Sequence, residues 1–553
     1  MYMFFFNWPY VFTIIYRFFN TIGNKCSYFA LLTTTRLNEM EFKHRFSEHN
    51  FGAFTKLFAG VVAVLFISAI VSCSDDDEEF VDSPSAHIYF SEDTVRFDTI
   101  FTDVGSATKE LIIYNPNNKG VRLSSVRLGS GGSSGFRVNL DGQFNTQFND
   151  VEIFHEDSIF CFIEVTINPH DSDSPILITD SLLFTQSNGV TRRVLLEAYG
   201  QDVIRMRDVT ITSDTTLAPT RPIVVFDSLV VDTGATLTIA AGTTLCFHKG
   251  AGLRVHGTLV CNGTLEQPIT MRGDRTDKLF PYLPYDRLDG QWDGIMLYPE
   301  SHGNLFNYCD IHSGNYGIVA PNEKDKEKSY DYDEDSIAKY TITNCIVHNV
   351  ATDAIYLQRT KADIYNTQIS NAGGNCVTIV GGTTRFYHCT IAQFYPWNAE
   401  HGAALLFTNH ADKVPYPLHL IEFTNSIITG YADDELFGSR MEDSDAAFNY
   451  RFVSSLINTV ITDEEAVDFP NCRFEPRMKE LNDMKEDERP VNRAKQFRLI
   501  DTEIYQYDFR LDTLSTARSL GDGNLIPEQC RHDLRGILRP TDHPDAGCYQ
   551  WEY

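Results

Sequence analysis

Residues 342 to 391 decide the fold. Ile342-Thr343-Asn344-Cys345-Ile346-Val347 returns as Ile364-Tyr365-Asn366-Thr367-Gln368-Ile369, and again as Phe386-Tyr387-His388-Cys389-Thr390-Ile391. Each copy starts with a large apolar residue, has a small one three positions later and ends two further on with a β-branched aliphatic. Cys345, Thr367 and Cys389 follow one another at 22 residues, so one repeat is 22 residues long. A repeat of that length built from short alternating strands reads as a coil of parallel strands in which each turn covers the last.

The pattern extends in both directions. Phe306 to Ile311, Phe423 to Ile428 and Phe452 to Ile457 repeat it. Stacking equal positions predicts two internal ladders, Cys309, Cys345, Thr367, Cys389, Ser426, Ser455 and Ile311, Val347, Ile369, Ile391, Ile428, Ile457. Ile369 should face inward and Gln368, one residue earlier, outward. Asn344, Asn366 and Asn425 fall at the adjoining turn, where asparagine tolerates a left-handed backbone and can bond its neighbour in the next rung. Rungs lie about 4.8 Å apart, so Cys309 and Cys345 are close enough to bridge, whereas Cys345 and Cys389 are two rungs apart and are not. Small buried thiols are the expected state of most cysteines. Cys530 and Cys548 stay open as a pair. No CxxC or alternating Cys/His metal pattern occurs among the ten cysteines after Cys73.

Upstream, Leu237 to Leu245, Gly252 to Val260, Pro268 to Met271 and Gln291 to Ile295 resemble the opening rungs of right-handed parallel β-helix proteins of the pectate-lyase-like superfamily. The resemblance covers about 207 to 460 and speaks to fold, not activity. Residues 85 to 203 read as seven or eight alternating strands separated by Gly, Asn, Asp and Ser, an antiparallel β-sandwich. Phe97 to Phe101, Ile113 to Pro116 and Leu196 to Gly200 resemble the immunoglobulin-like domain that precedes other modules in bacterial surface lipoproteins, with the role of a spacer. Residues 508 to 549 resemble the closing segment of bacterial surface β-helices, which implies an end cap over an otherwise open pairing edge. The expected fold is all-β: an immunoglobulin-like sandwich over 85–205, a right-handed parallel β-helix over 206–470, and a linker with a C-terminal cap over 471–553.

Ahead of these domains lies an export signal. An apolar run from Leu57 ends in Ile70-Val71-Ser72-Cys73, with Lys43, Arg45 and Lys56 before it. The aliphatic residue three before Cys73 and the small one just before it form a lipobox, so Cys73 is expected to be acylated and to tie the chain to a lipid bilayer. The run is too short to span a bilayer comfortably. Met40 opens an orthodox signal peptide over 40–73, and 1–39 reads as a mis-assigned start. Asp75 to Glu79, within the tether 74–84, resembles the acidic run that sends lipoproteins to the outer face of the outer membrane; a solvated linker reads the same charges equally well.

With 46 basic against 75 acidic residues the net charge is −29, which argues against nucleic acid as a partner. Departures from the 22-residue rung show where function could sit. The step from Cys309 to Cys345 carries 14 extra residues, near 322 to 337, and the step from Cys389 to Ser426 carries 15, divided between Phe394 to Trp397 and 408 to 419. Two insertions leave the same turn and should stand as walls. Between them Arg359, Lys361 and Arg385 would form a basic floor, and Tyr395, Trp397 and Tyr416 could stack on sugar rings. Phe280, Tyr282 and Tyr285 are secondary candidates. Glycan binding at this turn is the preferred reading. Lyases of the resembled superfamily abstract a proton beside a uronate carboxylate with Lys or Arg, which makes Lys361 and Arg385 the catalytic candidates of the alternative. No resident cofactor is expected; calcium would be the exception, with Asp331, Asp333, Glu334 and Asp335 as its oxygens, although their spacing matches no calcium loop. Asp433-Asp434 echoes polygalacturonase-like hydrolases but lacks their companion motifs. A non-catalytic adhesin or scaffold is the third reading.

Overall fold

The computed structural model describes residues 79–552 apart from 82, 84, 219, 323–337 and 477–495. The lipobox with Cys73, most of the acidic tether and the acidic wall with Asp331, Asp333 and Asp335 lie outside the described residues.

The sandwich is built from two five-stranded sheets between Tyr89 and Gln201. Alternation drives it: along Asp157–Val165, Cys161, Ile163 and Val165 are fully buried while the residues between them face out. The strand pairs are antiparallel except one, since Thr94–Phe101 runs parallel to Thr191–Gln201. Phe97, Phe136, Leu182, Phe184 and Leu196 fill a core of their own.

From Ile204 to Phe474 the chain forms one 25-stranded sheet whose pairs are all parallel, coiled as in a β-helix. Ile364 pairs with Phe386 and Ile369 with Ile391, so the 22-residue rung holds in this stretch. The expected ladders are buried inside the coil, with Cys345, Val347, Ile369, Cys389 and Ile391 fully covered. Asn344, Asn366 and Asn425 have φ of 55, 50 and 53°, the left-handed turn expected of them. Asn366 Nδ2 donates to Asn344 Oδ1 at 2.6 Å, one rung away. All ten described cysteines are free thiols, Cys530 and Cys548 included. The first rungs meet the sandwich through Phe101, Val224 and Cys246, and Arg221 pairs with Asp171 and Asp173 at 2.9 and 2.6 Å.

The C-terminal segment departs from expectation. Rather than capping the coil, residues 496–552 lie along its flank, and Phe497, Phe509, Leu511, Leu534, Cys548 and Tyr549 cover Ala392, Ile427 and Leu456 there. Part of the reason is chemical: Ile346, Ala392, Ile427 and Leu456 are apolar outward positions of this flank, and covering them is favourable. Gln368 is corrected with it. It does face outward, but Tyr549 lies over it and donates its hydroxyl to Gln368 Oε1 at 2.8 Å, leaving Gln368 buried. At the end of the coil Phe469 stacks on Phe452 instead, with centroids 4.9 Å apart and planes 4° from parallel.

Candidate functional site

Between the coil flank and the hairpin Phe497–Asp501/Gln506–Leu511 lies a cavity of about 460 Å³. The coil contributes Asp310, Ile346, His348, Gln368, Ser370 and Asn371, and the C-terminal segment Tyr505, Tyr507, Asp508 and Tyr549; Arg287 completes the rim. The position of the first set follows from the rung. Cys309 and Ile311 point inward, so Asp310 and His312 must point outward. His312 is in register with His348 on the next rung, which brings two imidazoles and a carboxylate together without any sequence motif.

Asp310 Oδ1 meets His312 Nδ1 at 2.8 Å and His348 Nε2 at 3.1 Å. The other nitrogen of His312 meets Asp286 Oδ1 at 3.1 Å, and Arg272 pairs with that carboxylate at 2.6 Å. Burial by itself would raise the Asp310 carboxyl, but the charge and hydrogen bonds of His312 and His348 outweigh it and hold it far below the usual range. Burial likewise pushes His312 down, yet Asp310 and Asp286 win and lift it to about 9. Asp286 is also held low, since His312 and Arg272 overcome its desolvation. Asp310, Asp286 and His312 are therefore charged at neutral pH. On the opposite wall burial raises the Asp508 carboxyl, and Arg510 more than offsets it.

Several candidates lie elsewhere or act differently. Tyr416 is buried, only 3% exposed, and is unavailable to stack on a sugar; its backbone N–H bonds Asn409 in the fold-back of the insertion, where His410–Ala411 pairs with Val414–Pro415. Tyr395 donates its hydroxyl to Asp289, tying its loop to the 280s loop. Trp397 is 38% exposed and stacks at 4.2 Å and 15° on Tyr505, which lines the cavity. Arg359 has a φ of 50° and sits at the bend of the strand Ile355–Tyr365, with Lys361 two residues on. Arg385 contributes to no basic floor: it is in register between Asp363 and Glu422, with Arg451 next, a column of alternating charge, and pairs with Asp363 at 3.7 Å. Asp434 accepts the Leu436 N–H at 3.2 Å, a turn contact. Phe280 and Tyr282 are half-exposed and stack on each other at 5.8 Å, while Tyr285 lies under the Arg275 guanidinium at 3.8 Å.

Asp310, His312 and His348 escape a sequence reading that follows the inward ladders, because all three belong to the outward face of those rungs. The signal was there: once the insertion is subtracted, the two histidines occupy the same rung position, one residue beyond the aliphatic ladder.

No protein-family model and no curated protein matches the chain. Among solved structures it is similar to a family 123 glycoside hydrolase from Clostridium perfringens at 10% identity, over 22% of this chain and 26% of that one, with a TM-score of 0.16. The chain thus spans about a quarter of that relative's length. A human PapD-like domain of CEP192 aligns at 11% identity over 24% of this chain and 96% of its own, TM-score 0.16. Dex49A from Penicillium minioluteum aligns at 10% identity over 68% of this chain and 69% of its own, TM-score 0.17. None of these scores bears on activity.

Proposed function

We propose that this is a lipoprotein anchored through acylated Cys73 to the outer membrane and displayed at the cell surface. In this reading an immunoglobulin-like spacer carries a right-handed parallel β-helix of the pectate-lyase-like kind, and the β-helix binds glycan. The ligand lies in the flank cavity rather than at the insertion-bearing turn. The observation that carries this is the composition of the walls: the aromatic side chains Tyr505 and Tyr507, with Asp508 beside them, line one side of about 460 Å³, and Gln368, Asn371 and Asp310 line the other. Sugars need that pairing, with a ring face to stack on and fixed polar groups for the hydroxyls.

A panel of immobilised glycans, with retention and ultraviolet absorbance of unsaturated products scored together, tests the reading. Retention without new absorbance is expected. Tyr505→Ala and Trp397→Ala should each weaken retention about tenfold without changing its salt dependence, because stacking is not a charge effect. New absorbance would favour the lyase alternative at Lys361 and Arg385, and no retention at all would leave a scaffold.

A further inference from the structure

We infer that Asp310, His312 and His348 form a binding site for a divalent transition metal of the zinc class, open to the flank cavity. The inference does not depend on the glycan reading.

The donor set is the first ground. Two imidazole nitrogens and one carboxylate oxygen lie within 4.8 Å of one another, with Asp310 Oδ1 2.8 Å from His312 Nδ1 and 3.1 Å from His348 Nε2. Tetrahedral zinc with nitrogen and oxygen ligands at about 2.0–2.1 Å separates its ligand atoms by about 3.3 Å. The two oxygen–nitrogen separations lie near that spacing, and the ion would displace the proton His312 holds against Asp310. Imidazole with carboxylate suits zinc, cobalt or iron rather than calcium or magnesium, which prefer oxygen alone.

The second ground is the surrounding shell. Metal-bound histidines almost always give their other N–H to a carboxylate or carbonyl, which orients the ring. Asp286 takes that place at His312 Nε2, at 3.1 Å, and is itself held by Arg272 at 2.6 Å. The His312 backbone carbonyl accepts the Trp292 indole N–H at 2.8 Å, which pins the strand beneath the ring.

The third ground is access, beside an unsatisfied polar group. Asn371 lines the same cavity and is 1% exposed, and its Oδ1 has no hydrogen-bond partner among the described residues. A buried acceptor in that state costs about 1–3 kcal/mol. Two of the ligands, Asp310 and His348, line the cavity themselves, so an ion there is accessible from it.

Calorimetric titration of the purified full chain with Zn²⁺, alongside the visible spectrum of its Co²⁺ form, provides the test. One equivalent should bind, and Co²⁺ should show ligand-field bands without thiolate charge transfer, because the ten described thiols are not ligands. Asp310→Asn and His348→Gln should each weaken binding by more than about tenfold, and Asp286→Asn, a positioning change, by about tenfold with the same stoichiometry. Stoichiometric binding that survives both ligand substitutions overturns the inference, as do thiolate bands or no saturable binding. The group is then an ion-paired network alone. Asp286→Asn, which leaves all three ligands in place, carries the test if a ligand variant fails to fold, and unchanged affinity there would overturn the inference.

Discussion

One position of the rung is held by cysteine, serine or threonine for a reason that goes beyond size. Thr367 Oγ1 accepts the Cys345 N–H at 3.4 Å and donates to its own Tyr365 carbonyl at 2.8 Å; Ser426 accepts the Cys389 N–H at 3.1 Å and donates to the Thr424 carbonyl at 3.0 Å. Each small polar side chain thus satisfies backbone on two rungs. Cys345 Sγ does the same for the Cys309 N–H at 3.3 Å. Cys345→Ser should therefore stay near wild-type stability, whereas Cys345→Val should lose about 1–3 kcal/mol, read from urea midpoints. Ile369→Asp buries an unpaired charge in the coil and should abolish soluble folding. Gln368→Asp, beneath Tyr549, should also destabilise, though less, and expression yield with thermal midpoints would rank the two. A second titratable group stands at the coil's edge. Lys339 is buried and donates to the Pro299 carbonyl at 3.0 Å; desolvation, only partly countered by Glu300, lowers it from 10.5 to about 7. Between those two values the unfolded chain holds a proton that the folded chain has released, so stability should rise with pH across that window, by about 1 kcal/mol per unit. Lys339→Met should flatten the rise in denaturation midpoints measured from pH 7 to 10, and an unchanged slope would assign it to other groups.

Among the elements, the C-terminal segment does most to shape the site. Arg539 is buried and clamps it to the coil: Nη2 donates to Asn366 Oδ1 at 2.7 Å and to the Gly547 carbonyl at 3.1 Å, and Nε to the Cys530 carbonyl at 3.1 Å. Asn366 belongs to the turn ladder, so the clamp uses a side chain the coil already orders. Arg539→Met should cost at least about 2 kcal/mol. Hydrogen exchange should show the loss concentrated in residues 496–552, while the strands around Ile369 keep their protection. Uniform loss of protection would mean that flank and coil unfold as one unit. The hairpin itself is held from the other side by Trp397 on Tyr505 and by Arg287, whose Nη1 donates to the Ile504 carbonyl at 3.2 Å. An insertion expected to present aromatics to a ligand thus also fastens a neighbouring element. Isolated loop aromatics carry no mark that separates the two uses.

For the whole molecule, the sandwich and coil each bury a separate core, and the proposed anchor, Cys73, precedes both in the sequence. Cys73→Ala should abolish incorporation of labelled fatty acid and leave the precursor uncut; continued labelling would sink the lipobox reading. The fold was legible in the chain because its signals are local and periodic. Alternation with period two marks each strand, and a 22-residue recurrence of Asn344 with Asn366 and of Cys345 with Thr367 marks the rung, so strand identity, facing and stacking follow from counting. Tertiary structure alone decided how the remaining surfaces meet. The sequence shows that Ile427 and Leu456 belong to rungs, but not that residues 496–552 fold back over that flank, because such packing is set by shape complementarity between segments distant in the chain. The cavity exists only as the gap left by that fold-back. The placement of His312 beside His348 follows from the same rung alignment once the 14 extra residues are subtracted, but the hairpin that closes a cavity over them does not.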